Sequence, residues 1–504
     1  MSIAKGDITN VLAPELGITS TSVVLLWDDS FAPDYTKDYA GETAKTYHIY
    51  CDGKKIGSTK KQTFPVYRLS PSTTYQFSIN EKEVAGSGTE NFITVTTRKA
   101  GKIFNVKDFG AVGDGKQIDT KAIQKTIDQC VPGGTVLIPP GTYLVDHLDL
   151  KSDLVFEIEE GAILKFIGYK EGGNYPTSEV LLPGVKGEME YRRMTLIRAC
   201  DVRNVTITGK GLIDGNGEKW WPYRNETPRP FLLEIIKSSN ILVQGVTFQD
   251  PPAWNNHLLY VDNALYSDVR FLKVSPEHGV NGDGLDPNAS RNVLIAGCLF
   301  GNQDDAIAIK SGTADKDGNR YRSSENITIR ECEFYGSLEE GSASLGVAIG
   351  SETSGGVRHV VLKNCTFRDA SSVINIKTNR ERPYAIVEDV IVENITYTNA
   401  KHSARWFNKA PISLDQFYVR DNPPNPSAPE PRTPETPIFR NIHFKNISIH
   451  NSKGWGIYMS GFAEAPIRNV TFDKVSVKSR DGIMVQNVDH VLLKGIASEI
   501  LQVE

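Results

Sequence analysis

Cysteine is scarce in this chain of 504 residues. The six present, Cys51, Cys130, Cys200, Cys298, Cys332 and Cys365, show no short paired spacing, which speaks against a zinc site. Nowhere do about 18 apolar residues follow one another, so no membrane-spanning helix is expected. The stretch MSIAKGDITNVLAPELG lacks a basic segment leading into an apolar one; no secretory leader is expected in it, and the compartment stays open. Basic residues are not in excess either. With 56 Lys and Arg against 61 Asp and Glu, the formal charge of -5 argues against nucleic acid or an anionic membrane surface as partner. An anionic ligand would need local cations. What remains is an ordinary globular composition, 39% hydrophobic and 23% charged, in a chain long enough for two domains.

The first hundred residues contain β-rich runs, TSVVLLWD, TYHIYCDGKKIGS, TTYQFSIN and ENFITVTTR, broken by turn signals such as DG and GSG. They predict a small sandwich. In RLSPSTTYQF, Leu69, Pro71, Thr74 and Tyr75 resemble the tyrosine corner of fibronectin type III domains. Residues 1–100 are therefore expected to form a fibronectin type III-like β-sandwich without a catalytic constellation, and 101–504 a second domain, divided at the polar RKAGK. The second domain is expected to stack only with itself, leaving a working unit if the first is removed.

From about residue 204 one pattern recurs: NVTITGKGLIDG, NILVQGVTFQD, NVLIAGCLFGN, NITIRECEFYG and HVVLKNCTFRD, then DVIVENITYTN, NIHFKNISIHN and NVTFDKVSVKS. Each copy is a short alternating strand, a polar kink and a second short strand, returning at intervals of roughly 20 to 50 residues. No copy can bury its apolar face alone, so the copies must stack, and short strands without intervening helices point to a parallel β-helix. The fold class is thus all-β. Cys298, Cys332 and Cys365 occupy one place in successive copies and should form an interior column of small apolar fillers. Residues 119–130, DTKAIQKTIDQC, have the spacing of a short helix that caps the first coil.

GNQDDAIAIKSG, at 301–312, sets two acids before an alternating strand. Carrying the strand back through them would bury Asp305, so the strand is expected to begin after it and both acids to lie in a turn. HGVNGDGLDPNAS carries Asn281, Asp283 and Asp286, and Asp283 stands 21 and 22 positions before Asp304 and Asp305. That is about one coil. Asp283, Asp304 and Asp305 are therefore expected to meet on one outer face, with Gly282 and Gly284 allowing unusual backbone. Clustered carboxylates raise one another's pKa, which lets an acid and a base coexist, as glycoside hydrolysis requires. Acidic turns and an irregular calcium site are the alternatives, though no loop here has the glycine and terminal glutamate of a standard calcium loop.

N-x-D-G-x-D at 281–286, Q-D-D at 303–305 followed by AIAIKSG, and GVAIGSE at 346–352 resemble glycoside hydrolase family 28, the polygalacturonases and related pectin hydrolases. FNVKDFGAVGDG, IPPGTYLV, GKGLIDGNGEKWW and DPPAW are similar to its bacterial branch, over about residues 103–490. The resemblance implies a right-handed parallel β-helix that hydrolyses galacturonosidic bonds with inversion, without metal or other cofactor, on a pectic oligo- or polysaccharide. It implies Asp304 as general acid, Asp283 and Asp305 as the groups that hold and deprotonate water, and Asn281 as their orienter. Lys377 falls where the family has a lysine that pairs with a substrate carboxylate, and Tyr418 where it has a substrate-contacting tyrosine. Oligomeric state is left open.

Two departures stand out. Ser344 occupies the place of the family's usual histidine, and Asn375 that of the arginine in its Arg-x-Lys pair. Asn cannot supply a fork-shaped charge, which favours a neutral sugar beyond the cleaved bond and hence a rhamnogalacturonan linkage, unless Arg380 or Arg382 in TNRERPY replaces the cation. Long insertions at 168–194 and 420–437 are expected to wall one end of the groove and confine cutting to chain ends. The leading expectation is an exo-acting polygalacturonase-like hydrolase. Cleavage of galacturonate–rhamnose bonds is the alternative within the class; a calcium-dependent lyase or a non-catalytic carbohydrate-binding solenoid are those outside it.

Overall fold

The computed structural model describes residues 7–30, 45–83, 91–177, 194–277, 279–313, 321–336, 345–398, 409–418 and 428–499, with the backbone alone at 182–183, 189–190, 344 and 500. The strands Ile8–Leu12, Val23–Asp29 and Thr63–Val66 form one antiparallel sheet, and Lys54–Thr59, Tyr47–Cys51, Thr74–Asn80 and Phe92–Thr96 a second. Trp27, Ile49, Phe77 and Ile79 fill the core between them. The Tyr75 hydroxyl accepts the Ser70 backbone N–H at 2.9 Å, the local bond a tyrosine corner requires.

From Ile103 onward the chain winds into parallel coils. A full coil has three strands, as in Arg291–Ala296, Leu299–Gly301 and Asp304–Ile309, each pairing in parallel with its counterparts one coil away. Among the described residues, the third strands build an 11-stranded parallel sheet. This is the parallel β-helix that the repeats predicted, with the right hand that the family resemblance implied and that nearly all parallel crossovers share. The helix Thr120–Gln129 closes its first coil with Ile123 and Ile127 buried. Cys298, Cys332 and Cys365 stack inside, all as free thiols.

Two ladders explain the repeated letters. Phe271, Phe300, Phe334 and Phe367 stack at centroid distances of 4.8, 5.0 and 4.3 Å. The Asn that opens copy after copy sits at a left-handed kink, with φ of 55° at Asn204, 57° at Asn240, 56° at Asn292 and 56° at Asn326. Asn tolerates this backbone because its short amide bonds locally, and here the amides bond across coils: Asn240 donates to Asn204 at 3.0 Å and Asn326 to Asn292 at 3.0 Å.

The solenoid does not stack only with itself. Val24 and Leu26 of the sandwich are buried against Leu242, Leu265 and Ala296 on the outside of the coils. Polar contacts ring this patch: Ser22 donates to Gln244 at 2.8 Å, Tyr67 to Asp268 at 2.7 Å, and Lys363 pairs with Asp28 at 2.9 Å. The outward alternate residues of these strands are apolar where a solvated face would be polar, and that is what the sandwich covers.

Candidate active site

The strand Asp304–Ile309 begins at Asp304, not after Asp305 as the cost of burying a carboxylate suggested. Asp304 takes a left-handed φ of 79° and its Oδ1 accepts the Asp305 backbone N–H at 3.0 Å. Asp305 is buried after all. The burial is tolerated because Lys377, 72 positions later, places its Nζ 2.8 Å from Asp305 Oδ2.

One coil earlier, Leu285 pairs with Ile307, which puts Asp283 level with Asp305. The Gly284 N–H donates to the Asp305 carbonyl at 2.9 Å, and Asn302 Nδ2 donates to the carbonyls of Gly282 and Asp305 at 2.9 and 3.1 Å. The reason for glycine here is close approach, not unusual backbone. A Cβ at Gly284 would stand 2.5 Å from the Ala306 carbonyl and one at Gly282 3.0 Å from that of Gln303, while the positive φ of this loop belongs to Asn281 at 55°.

Burial, then the charges of Asp286 and Asp304, push the Asp283 carboxyl well above its ordinary range. Burial and then the Asp305 charge raise that of Asp304, with Lys377 opposing. The site thus joins proton-holding carboxyls to a carboxylate salt-bridged to lysine, the division of labour that acid–base chemistry needs.

Sequence reasoning missed four neighbours. Lys310 Nζ lies 3.8 Å from Asp283 and 3.4 Å from Glu352, above the ring of Trp254 at 4.7 Å. Burial alone would raise Glu352, yet Lys310 and Arg382 hold its carboxyl down to about 2. Burial would lower Lys310, but Glu352, Asp286 and Asp283 together raise it. Asp286 is wholly buried, neither carboxylate oxygen has a hydrogen-bond partner among the described residues, and burial pushes its pKa well up. Arg229 donates to the carbonyls of Pro252 and Val280 at 2.8 and 2.6 Å and to Asn281 Oδ1 at 2.8 Å, its pKa pushed by burial down to about 10. Lys310, Glu352 and Asp286 lie inside the motifs already singled out; for Arg229 there was no such signal.

The other expected residues divide. Lys377 lies 5.2 Å from the Tyr418 ring centroid, so Tyr418 joins the cluster. Asn281 faces Arg229 rather than an acid. Asn375 is buried in the column between Ala348 and Ser413. Ser344 pairs with Asp304 in the sheet; its side chain lies outside the described residues. Arg380 is committed elsewhere, forked onto Glu464 at 2.9 and 3.1 Å, paired with Glu430 at 3.2 Å and laid over Phe462 at 4.5 Å. It does not supply the replacement charge. Arg382 does reach the cluster, 3.5 Å from Glu352, with Thr313 accepting from its Nη1 at 2.7 Å.

Of the two insertions, 178–181, 184–188, 191–193 and 419–427 lie outside the described residues. Tyr169 and Tyr175 of the first pack on Trp220 at 5.7 and 5.0 Å. Tyr175 and Trp220 are buried in the core of the coils, and the buried Trp221 packs against Gly279, where a side chain would stand 3.0 Å from its ring. Among the described residues no group of three or more His, Cys, Asp and Glu is placed to hold a metal ion.

A family model described as glycosyl hydrolases family 28 matches residues 131–495, and one described as rhamnogalacturonase A/epimerase, pectate lyase-like, matches 103–155. The chain is 29% identical over 381 residues to a probable polygalacturonase of Vitis vinifera, covering 72% of this chain and 73% of that one. It is 26% identical over 431 residues to an exo-poly-alpha-D-galacturonosidase of Dickeya chrysanthemi, covering 70% and 68%. Among solved structures, a family 28 exopolygalacturonase of Yersinia enterocolitica superposes with a TM-score of 0.69 at 21% identity, over 96% of this chain and 98% of that one; at that identity the likeness speaks for the fold.

Proposed function

The chain belongs to glycosyl hydrolases family 28, and from that premise we propose that Asp304 is the general acid, with Asp283 and Asp305 activating the water, of a hydrolase that cuts α-galacturonosidic bonds of pectic chains from an end. The activity class follows from the family together with its polygalacturonase and exo-polygalacturonase relatives. The residue roles rest on one observation: Asp304, its carboxyl raised by burial and the Asp305 charge, stands directly beside an Asp305 salt-bridged to Lys377.

In this reading Asp304 gives its proton to the glycosidic oxygen as the C1–O bond breaks. Asp283 and Asp305 hold a water on the opposite face of the sugar, and Asp305, the carboxylate paired with Lys377, takes its proton as the water oxygen bonds to C1. Water is consumed and the anomeric configuration inverts. Inverting pairs stand about 6.5 to 9.5 Å apart to admit that water, a separation that side chains on adjacent coils can meet. Exo action is supported by the match to an exo-poly-alpha-D-galacturonosidase of Dickeya chrysanthemi.

Digestion of oligogalacturonides in chelator, followed by NMR of the first anomer formed and by product sizing, tests the proposal. It predicts a first product of inverted configuration and release of small units from one end. A double-bonded product absorbing in the ultraviolet would mean a lyase, and unchanged reducing ends a binding protein. The second reading, cleavage at galacturonate–rhamnose bonds, rests on the neutral Asn375, and is supported if rhamnogalacturonan oligomers are cut more efficiently than homogalacturonan oligomers of equal length.

A further inference from the structure

Two charged residues of the cluster have no part in the steps above, and resting on that reading we infer that Lys310 and Glu352 are positioning residues of the reaction, acting through Asp283 and Asp304. The buried lysine counters the crowding of the acids, Glu352 limits how far it does so, and together they set the pH at which hydrolysis fails on the alkaline side.

The chain fixes both residues by their backbone before their side chains meet. Alternation turns Ile307 and Ile309 into the core of the coils, which sends Lys310 to the outer face. Its N–H donates to the Pro287 carbonyl at 2.8 Å, and its own carbonyl accepts from the Ala289 N–H at 3.0 Å and the Ser324 hydroxyl at 2.6 Å. The Ser311 N–H donates to the Glu352 carbonyl at 2.8 Å, and the Glu352 carboxylate accepts from the Ser351 hydroxyl at 3.2 Å. The Lys310 ammonium therefore ends 3.8 Å from Asp283 and 3.4 Å from Glu352, with the buried Trp254 ring 4.7 Å away. At 6% exposure it answers to the acids rather than to water.

Charges buried together act strongly on one another, because little water screens them. Besides Glu352, four carboxyls crowd near the lysine: Asp283 and Asp286 from the coil before it, and Asp304 and Asp305 from its own strand. The other cations are engaged, Lys377 with Asp305, Arg229 with the carbonyls of Pro252 and Val280 and with Asn281, and Arg382 with Glu352 and Thr313, while Tyr418 lies against Lys377. Burial and crowding raise the carboxyls of Asp283 and Asp304, and Lys310 opposes both rises. Glu352, ionised far below neutral pH, offsets part of the lysine's charge. The two act with opposite sign. Without the charge of Lys310, Asp304 keeps its proton to higher pH; without that of Glu352, the lysine acts unopposed and Asp304 releases its proton at lower pH. Side chains that only filled space would not move the profile in opposite directions.

The test compares pH profiles of kcat on trigalacturonate for wild-type protein, Lys310→Met and Glu352→Gln. Lys310→Met is expected to move the alkaline limb up by about half a pH unit or more, and Glu352→Gln to move it down by about as much. In Lys310→Met kcat should fall about tenfold or more while KM stays within about threefold, because the lysine acts through the acids and not on the sugar. Lys310→Arg, which keeps the charge, should hold the limb at its wild-type place, and with Glu352→Gln it carries the test if Lys310→Met does not fold. A limb unmoved in Glu352→Gln, or moved the same way in Lys310→Met and Glu352→Gln, overturns the inference. So does a loss that falls on KM instead of kcat, which would make Lys310 a ligand of the sugar. The parent reading fails separately: wild-type protein that cleaves no galacturonide sinks the hydrolase. The C=O band of protonated carboxyls, titrated by infrared difference spectroscopy on the sugar-free protein, then decides the pair, its midpoint being higher in Lys310→Met and lower in Glu352→Gln if the inference holds and unmoved if it is wrong.

Discussion

Lys377 Nζ stands 2.8 Å from Asp305 Oδ2, the two side chains being 6% and 5% exposed, so an ion pair shut off from water joins strands two coils apart at the centre of the site. Removing one partner strands the other charge. Lys377→Met should therefore cost about 3–5 kcal/mol of stability, and Lys377→Met with Asp305→Asn should recover most of it. Denaturant unfolding of the three variants checks this; a single variant as stable as wild type would mean that the pair contributes nothing to the fold.

Asp286 gives a pH signature of known sign. Its folded pKa is raised by burial well above the ordinary 3.8. Below 3.8 both folded and unfolded states carry the proton; as pH rises above that value the unfolded state ionises and the native state loses stability relative to it. Asp286→Asn, neutral at every pH, should raise the melting temperature at pH 7 and change it little near pH 3.5. Thermal unfolding at the two values decides it, and a drop at pH 7 would show that the carboxylate is bound as an anion.

The sandwich bears on stability through its contact with the coils. Deleting residues 1–100 uncovers Leu242, Leu265 and Ala296, so the truncated chain should melt lower and aggregate more readily, while kcat on short oligomers stays within about tenfold because the acids lie on the other sheet. Light scattering, melting curves and turnover of the soluble fraction measure this. An unchanged melting temperature would contradict the docking, and a soluble chain that binds but hardly turns over would give the sandwich a part in catalysis.

The coils are legible because strand alternation and kink recur copy by copy, and a spacing of 21 to 22 residues brings Asp283 to Asp304 and Asp305. What failed to show was pairing at long range. The buried Asp305 depends on Lys377, and Arg380 was drawn off by Glu464, 84 residues on, in a loop with no motif to announce it. The docking face was hidden for a different reason: Leu242 and Leu265 read as core in an alternating strand, and only the register shows that they point outward. Glycines 282 and 284 marked the right place, but the letter alone does not separate a positive φ from close packing.

The proton of Asp304 is tested most directly by comparing Asp304→Asn on two substrates, trigalacturonate and an aryl galacturonide whose leaving group departs without protonation. Because burial and Asp305 keep Asp304 protonated above the ordinary carboxylate range, wild-type kcat on trigalacturonate should fall as pH rises through that raised pKa, and Asp304→Asn should lose about 10²-fold or more while staying folded. On the aryl galacturonide the same variant should keep most of its turnover. Near-normal cleavage of trigalacturonate by Asp304→Asn, or an equal loss on both substrates, would contradict the assignment of the general acid.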